Sequence, residues 1–197
     1  MLVLTAGCSG ESLREQYPVQ WQTCEDLFGV ENMKKIGDMF GDDPNITNAP
    51  ITVEEVADGL KREASERYDP VRGFDDYDVC HFVGRGVFWP STGWANASLK
   101  EVSDPSGRWH PVGPDAFVQG GIYGHGGTTA VFPCKVAGAA KDRQAQILLE
   151  VSLNDVGHPA TDEFEAQLVA KLAQSVRDAV GCVNRPEIPE GLSPTKA

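Results

Sequence analysis

Cysteine is the residue best placed to do chemistry in this 197-residue chain, and its count of five is odd. Cys8, Cys24, Cys80, Cys134 and Cys182 show no C-x-x-C or other zinc-ligand spacing. With one set aside, four remain, enough for two disulfides, which persist outside the cytoplasm. The four histidines, His81, His110, His125 and His158, fall in neither H-x-x-x-H nor H-E-x-x-H spacing, so no metal site is read from them. Gly121 to Thr128 has the length of a phosphate loop, but Gly127 stands where a lysine would hold the phosphates. Ser91 lacks the G-x-S-x-G frame of a nucleophile elbow. Asp42-Asp43 and Asp75-Asp76 lack the D-x-D-x-D-G pattern of a calcium loop and read as solvated surface. No catalytic residue and no cofactor is assigned. Trp89, Trp94, Trp109, Tyr123 and His125 crowd one half of the chain. Aromatic walls with a few polar groups line small-molecule clefts, so these five form a candidate ligand cleft, with core packing as the competing use.

The fifth cysteine has its own setting. Leu4-Thr5-Ala6-Gly7-Cys8 brings small residues up to a cysteine, and polar sequence follows. That stretch resembles the lipobox of bacterial lipoproteins. The resemblance implies a diacylglyceryl thioether on Cys8, removal of residues 1–7 as the remnant of a signal peptide, and attachment to the outer side of the cell membrane. Lipidation of Cys8 also accounts for the odd cysteine.

The composition narrows the partners. A net charge of −12 repels nucleic acid and anionic headgroups alike. Membrane attachment must then come from lipid rather than from a basic patch. No later stretch approaches the 18 or so consecutive apolar residues of a spanning helix. Hydrophobic residues make up 41% of the chain, enough for one core.

Periodicity predicts the elements that would position these groups. Residues 8–18 read as a polar tether. Thr23 is a candidate cap for a short helix over Cys24 to Phe28, and a second helix covers Glu31 to Phe40. Thr52 and Glu55 form a capping box for a helix from Val53 to about Arg67. From Asp78 the pattern turns strand-like. Strands are expected over Asp78 to Val83, Val87 to Trp89, Ala97 to Ser103, Ala116 to Tyr123, Thr129 to Val136 and Gln146 to Leu153, with Pro90 to Trp94 as a loop. In the last strand Ile147, Leu149, Val151 and Leu153 alternate with polar residues, as in a sheet covered on one side. A final helix is capped by Thr161 and stopped by Gly181. The three prolines after Asn184 predict a disordered tail over 185–197.

Helices, then strands, then a helix predict an α+β fold, with an antiparallel sheet of about four to six strands packed against N-terminal and C-terminal helices. Residues 19–184 form its single domain. The lipobox and the cysteine frame resemble small uncharacterised actinobacterial lipoproteins with a two-disulfide domain, a group that implies no particular reaction. Element positions favour pairing Cys24 with Cys80 and Cys134 with Cys182. Pairing of Cys24 with Cys182 is the alternative, because chain ends often lie close together. The functional expectation is a membrane-anchored extracytoplasmic lipoprotein that binds a protein or small-molecule ligand and no nucleic acid. The alternative is a cell-envelope enzyme of hydrolase type, using a histidine and an acid in a cleft.

Overall fold

The computed structural model describes residues 12–40, 45–66, 74–84, 86–120, 127–139, 148–156 and 161–192. The N-terminal third is helical: α1 (Leu13–Gln16), α2 (Pro18–Phe28), α3 (Val30–Phe40) and α4 (Val53–Ser65), with the short strand β1 (Asn45–Ile46) between the last two. Then come β2 (Tyr77–Asp78), β3 (Phe82–Val83), β4 (Val87–Trp94), α5 (Leu99–Val102), β5 (His110–Pro111), β6 (Phe117–Gly120), β7 (Gly127–Pro133) and β8 (Leu148–Val156). The last element is α6 (Asp162–Val180).

The expected α+β fold is present, and its sheet is larger than expected, with eight strands among the described residues. The order is β1-β3-β4-β8-β7-β6-β5, with β2 also paired to β4. Every pairing is antiparallel. The last strand in sequence, β8, lies in the middle between β4 and β7. Its Leu149, Val151 and Leu153 are buried against the helices, as its alternation predicts. Phe82, Phe88, Trp94, Val118, Ala130 and Phe132 share that face and meet the apolar sides of α2, α4 and α6.

Local sequence explains most boundaries. Thr52 accepts a hydrogen bond from the Glu55 N–H at 3.2 Å and Glu55 accepts one from the Thr52 N–H at 2.8 Å, which closes the capping box. Thr161 caps α6, and Gly181 ends it in the left-handed conformation at φ 72°.

Several expectations need correction. α2 starts at Pro18, so Thr23 is no cap; its hydroxyl donates to the Ile51 carbonyl at 2.6 Å and ties α2 to the segment before α4. Residues 13–16, expected in a tether, form α1, and Leu13 packs against the core. Pro90 lies inside β4 rather than in a loop. Its carbonyl accepts from the Val79 N–H at 3.0 Å, so its missing donor faces the break between β2 and β3. Residues 97–103 hold α5 instead of a strand, because Ser98 and Glu101 form a further capping box. The expected strand from Asp78 to Val83 is interrupted at Cys80, whose φ is 56°.

Residues 185–192, expected in a disordered tail, pack against α6. Ile188 and Leu192 are buried, the latter fully. Gln174 of α6 donates to the Ile188 carbonyl at 3.2 Å, Arg177 to the Pro186 carbonyl at 3.1 Å, and the Leu192 N–H to the Ala166 carbonyl at 3.3 Å. Proline excludes helix and strand here, yet the chain still packs, because two apolar side chains reach the core.

Both favoured disulfides are present: Cys24 with Cys80, Cα atoms 5.4 Å apart, and Cys134 with Cys182, 5.0 Å apart. The first fastens α2 to the break between β2 and β3. The second fastens the end of α6 to the end of β7. Beside it the Val183 N–H donates to the Lys135 carbonyl at 2.8 Å, and the Asn184 amide to the Pro133 carbonyl at 2.7 Å.

Candidate functional site

Side-chain alternation sorts the sheet into two faces. In β4, Phe88, Thr92 and Trp94 point toward the helices, and Trp89, Ser91 and Gly93 point away. The register carries this across the sheet. Ser91 is opposite Ser152, Ser152 opposite Thr129, and Thr129 opposite Gln119. The outer face therefore bears a polar row over β4, β8, β7 and β6, with the Ser91 and Ser152 hydroxyls 2.8 Å apart. One row further along, Glu150 is paired with Val131 on one side and Gly93 on the other.

At the α5 end this face closes over a small second core of Ala95, Val102, Trp109, Val131 and Leu148. Beside it opens a cavity of about 530 Å³, lined among others by Asn96, Arg108, Trp109, Gln119, Thr129 and Glu150. Gln119 is only 4% exposed, and its Oε1 has no hydrogen-bond partner among the described residues. Buried amides almost always find partners, so this oxygen marks the cavity.

Glu150 is half-buried. Burial first, and then the nearby Asp76 carboxylate, push its pKa above the ordinary value, while the Arg108 guanidinium pulls the other way. The pKa of Asp76 is itself raised by burial and by Asp78 and Asp75. Gly93 makes this proximity possible: a Cβ there would stand 2.7 Å from the Asp76 Oδ1 and 3.0 Å from the Asp75 carbonyl oxygen.

A second cluster lies toward β1. The Trp89 ring stacks on His81 with centroids 5.2 Å apart, and its Nε1–H donates to Asp78 at 2.7 Å. His81 Nδ1 is 2.9 Å from the Thr47 hydroxyl, and the Asn48 carbonyl oxygen accepts the His81 N–H at 3.0 Å. Burial lowers the His81 pKa, and Asp78 opposes the shift.

The expected aromatic cleft is not assembled as a unit. Trp89 and Trp94 are five residues apart in one strand, so they project to opposite faces. Trp94 is core, 3% exposed, with its indole N–H donating to the Leu60 carbonyl at 3.0 Å. Trp109 lines the cavity. Trp89 belongs to the His81 cluster. Tyr123 and His125 lie outside the described residues, as does Cys8. His110 is exposed on β5. Among the described residues no group of three or more histidine, cysteine or acidic side chains could hold a metal ion.

Sequence reading missed Gln119, Glu150, Asp76 and Arg108 as site residues. A signal for two of them was present, since Glu150 opposes the apolar side of β8 and Gln119 follows the buried Val118 in β6. What was lacking was the register that places them around one cavity.

The two disulfides fit an oxidising, extracytoplasmic setting. No helix among the described residues is long and apolar enough to cross a membrane. No protein-family model, curated protein or solved structure matches the chain.

Proposed function

We propose that this chain is an extracytoplasmic binding module, anchored to the membrane through lipid on Cys8, which takes its ligand on the open face of the sheet. The observation that carries the binding role is the asymmetry of the sheet. One face is buried under α2, α4 and α6, while the other holds a cavity with the unpartnered Gln119 amide and the half-buried Glu150. Buried polar groups left without partners destabilise a fold unless something bound satisfies them. The disulfides support the compartment, and the small residues before Cys8 support the anchor.

Two measurements test the two halves of the reading. The gene is expressed with its natural upstream start in a bacterial host, and the membrane fraction is analysed by intact mass. Diacylglyceryl-modified protein beginning at Cys8 is expected; soluble, unmodified protein retaining Met1 overturns the anchor. The folded domain is then screened by thermal shift against polar metabolites, with Glu150→Gln and Gln119→Leu as controls. A ligand that stabilises the parent chain and neither variant supports the face as the site. Equal stabilisation of all three places binding elsewhere and overturns it.

A further inference from the structure

Resting on that binding-module reading, we propose that the cavity beside α5 accepts an organic cation bearing N–H groups, an alkylammonium or guanidinium, with Glu150 as its counter-ion and the Gln119 carbonyl as its second acceptor. Two observations converge on this chemistry. Gln119 is more than nine-tenths buried, lines the cavity and presents an oxygen that no described group donates to. The missing partner is therefore a hydrogen-bond donor. Glu150 opens into the same cavity with its charge disfavoured by burial and by Asp76, an imbalance that Arg108 does not fully offset. The missing charge is therefore positive.

Other ligand chemistries fit less well. An anion would meet the Arg108 guanidinium but also two acceptors and the nearby carboxylates of Glu101 and Asp76. A neutral polyol would satisfy Gln119 and leave the Glu150 charge uncompensated. A bare metal ion lacks the necessary set of ligating side chains among the described residues. Gln119 and Glu150 stand on β6 and β8 with β7 between them, and Glu150 lies one row further along, so two strand spacings across and two residues along put their backbones roughly 12 Å apart. Both side chains line the one cavity, and a short diamine bridging them would lay its methylenes along the wall that Trp109 contributes.

The test is a titration of nitrogen-15-labelled protein with 1,4-diaminobutane, followed by NMR. Saturable shifts of the Gln119 side-chain amide and the Trp109 indole N–H are expected. Glu150→Gln and Gln119→Leu should each weaken binding by roughly tenfold or more, the scale of one charge-assisted hydrogen bond. Glu54→Gln, at an exposed acid on α4, should leave it unchanged, and the dispersion of each variant's amide spectrum confirms its folding. Shifts that spread over the acidic surface, or that weaken equally in Glu54→Gln, overturn the proposal. Methyl glucoside is titrated in parallel. If it shifts Gln119 and the diamine does not, the cation assignment fails while the binding face stands; if neither shifts it, both fail.

Discussion

Gln119 carries an energetic cost. Burying an amide oxygen without a partner destabilises a fold by about 1–3 kcal/mol, whereas an apolar side chain of similar size does not incur that loss. Gln119→Leu is therefore expected to raise unfolding stability by about 1 kcal/mol in urea titrations while abolishing ligand-dependent stabilisation. Lower stability of the variant would mean that Gln119 has a structural partner after all. Glu150 yields a pH-dependent prediction. Its pKa in the folded state lies above the ordinary 4.5, so the folded state binds the proton more tightly than the unfolded chain does. The resulting stabilisation is complete below about pH 4.5 and is lost as pH rises through the folded-state value. Glu150→Gln cannot lose it. Its stability relative to the parent should thus improve as pH rises above about 4.5, as read by calorimetry over a series of pH values. A constant difference would show that Glu150 is not perturbed.

Elements were legible where side chain and backbone signal together. The T-x-x-E box before α4 and the Thr161 and Gly181 pair around α6 mark their ends in the sequence, and the helices begin and stop there. α5 carries the same signal in Ser98 and Glu101, but only four residues follow the cap, too few to show a helical period, so its sequence looks like a strand. Pro90 locally favours a break in β4, and pairing overrides it: the proline falls where the neighbouring strand is already broken at Cys80. The site was less legible than the fold, because Gln119, Glu150 and Asp76 come together only through the β6-β7-β8-β4 register and the close approach at Gly93. That approach can be tested. A side chain in place of Gly93 would collide with Asp75 and Asp76. Gly93→Val is expected to displace that segment, expose Glu150 and bring its pKa down toward the ordinary range, as followed by carbon-13 carboxyl titration. An unchanged Glu150 titration would show that the Asp76 segment does not perturb Glu150.

At the scale of the whole molecule, charge and cross-links dominate. With a net charge of −12, no retarded band is expected with random duplex DNA at physiological salt. The disulfides close loops with sequence separations of 56 and 48 residues. The chain-entropy model assigns about 4 kcal/mol to each such loop, a large part of the roughly 5–15 kcal/mol that holds a domain. Replacing Cys134 and Cys182 together by serine should cost a comparable amount in denaturant midpoint analysis; a loss below about 1 kcal/mol would show that the hydrogen bonds around Asn184 suffice alone. Peptide mapping without reduction should recover Cys24 linked to Cys80 and Cys134 linked to Cys182. The strap from Pro186 to Leu192 adds to the same closure. Truncating Leu192 to alanine removes a fully buried side chain and should destabilise the domain by about 2–5 kcal/mol.

The connectivity also bears on how the chain acquires its bonds. Each of the four bridging cysteines is joined to its immediate neighbour in sequence, so neither loop encloses a cysteine of the other pair. A polypeptide that enters an oxidising space N-terminus first would present Cys24 and Cys80 before Cys134 emerges. Joining each thiol to the next one available then produces the native pattern. Vectorial delivery alone makes the correct pairing the easiest one, and shuffling of mispaired bonds is needed only when oxidation lags behind the arrival of the third cysteine.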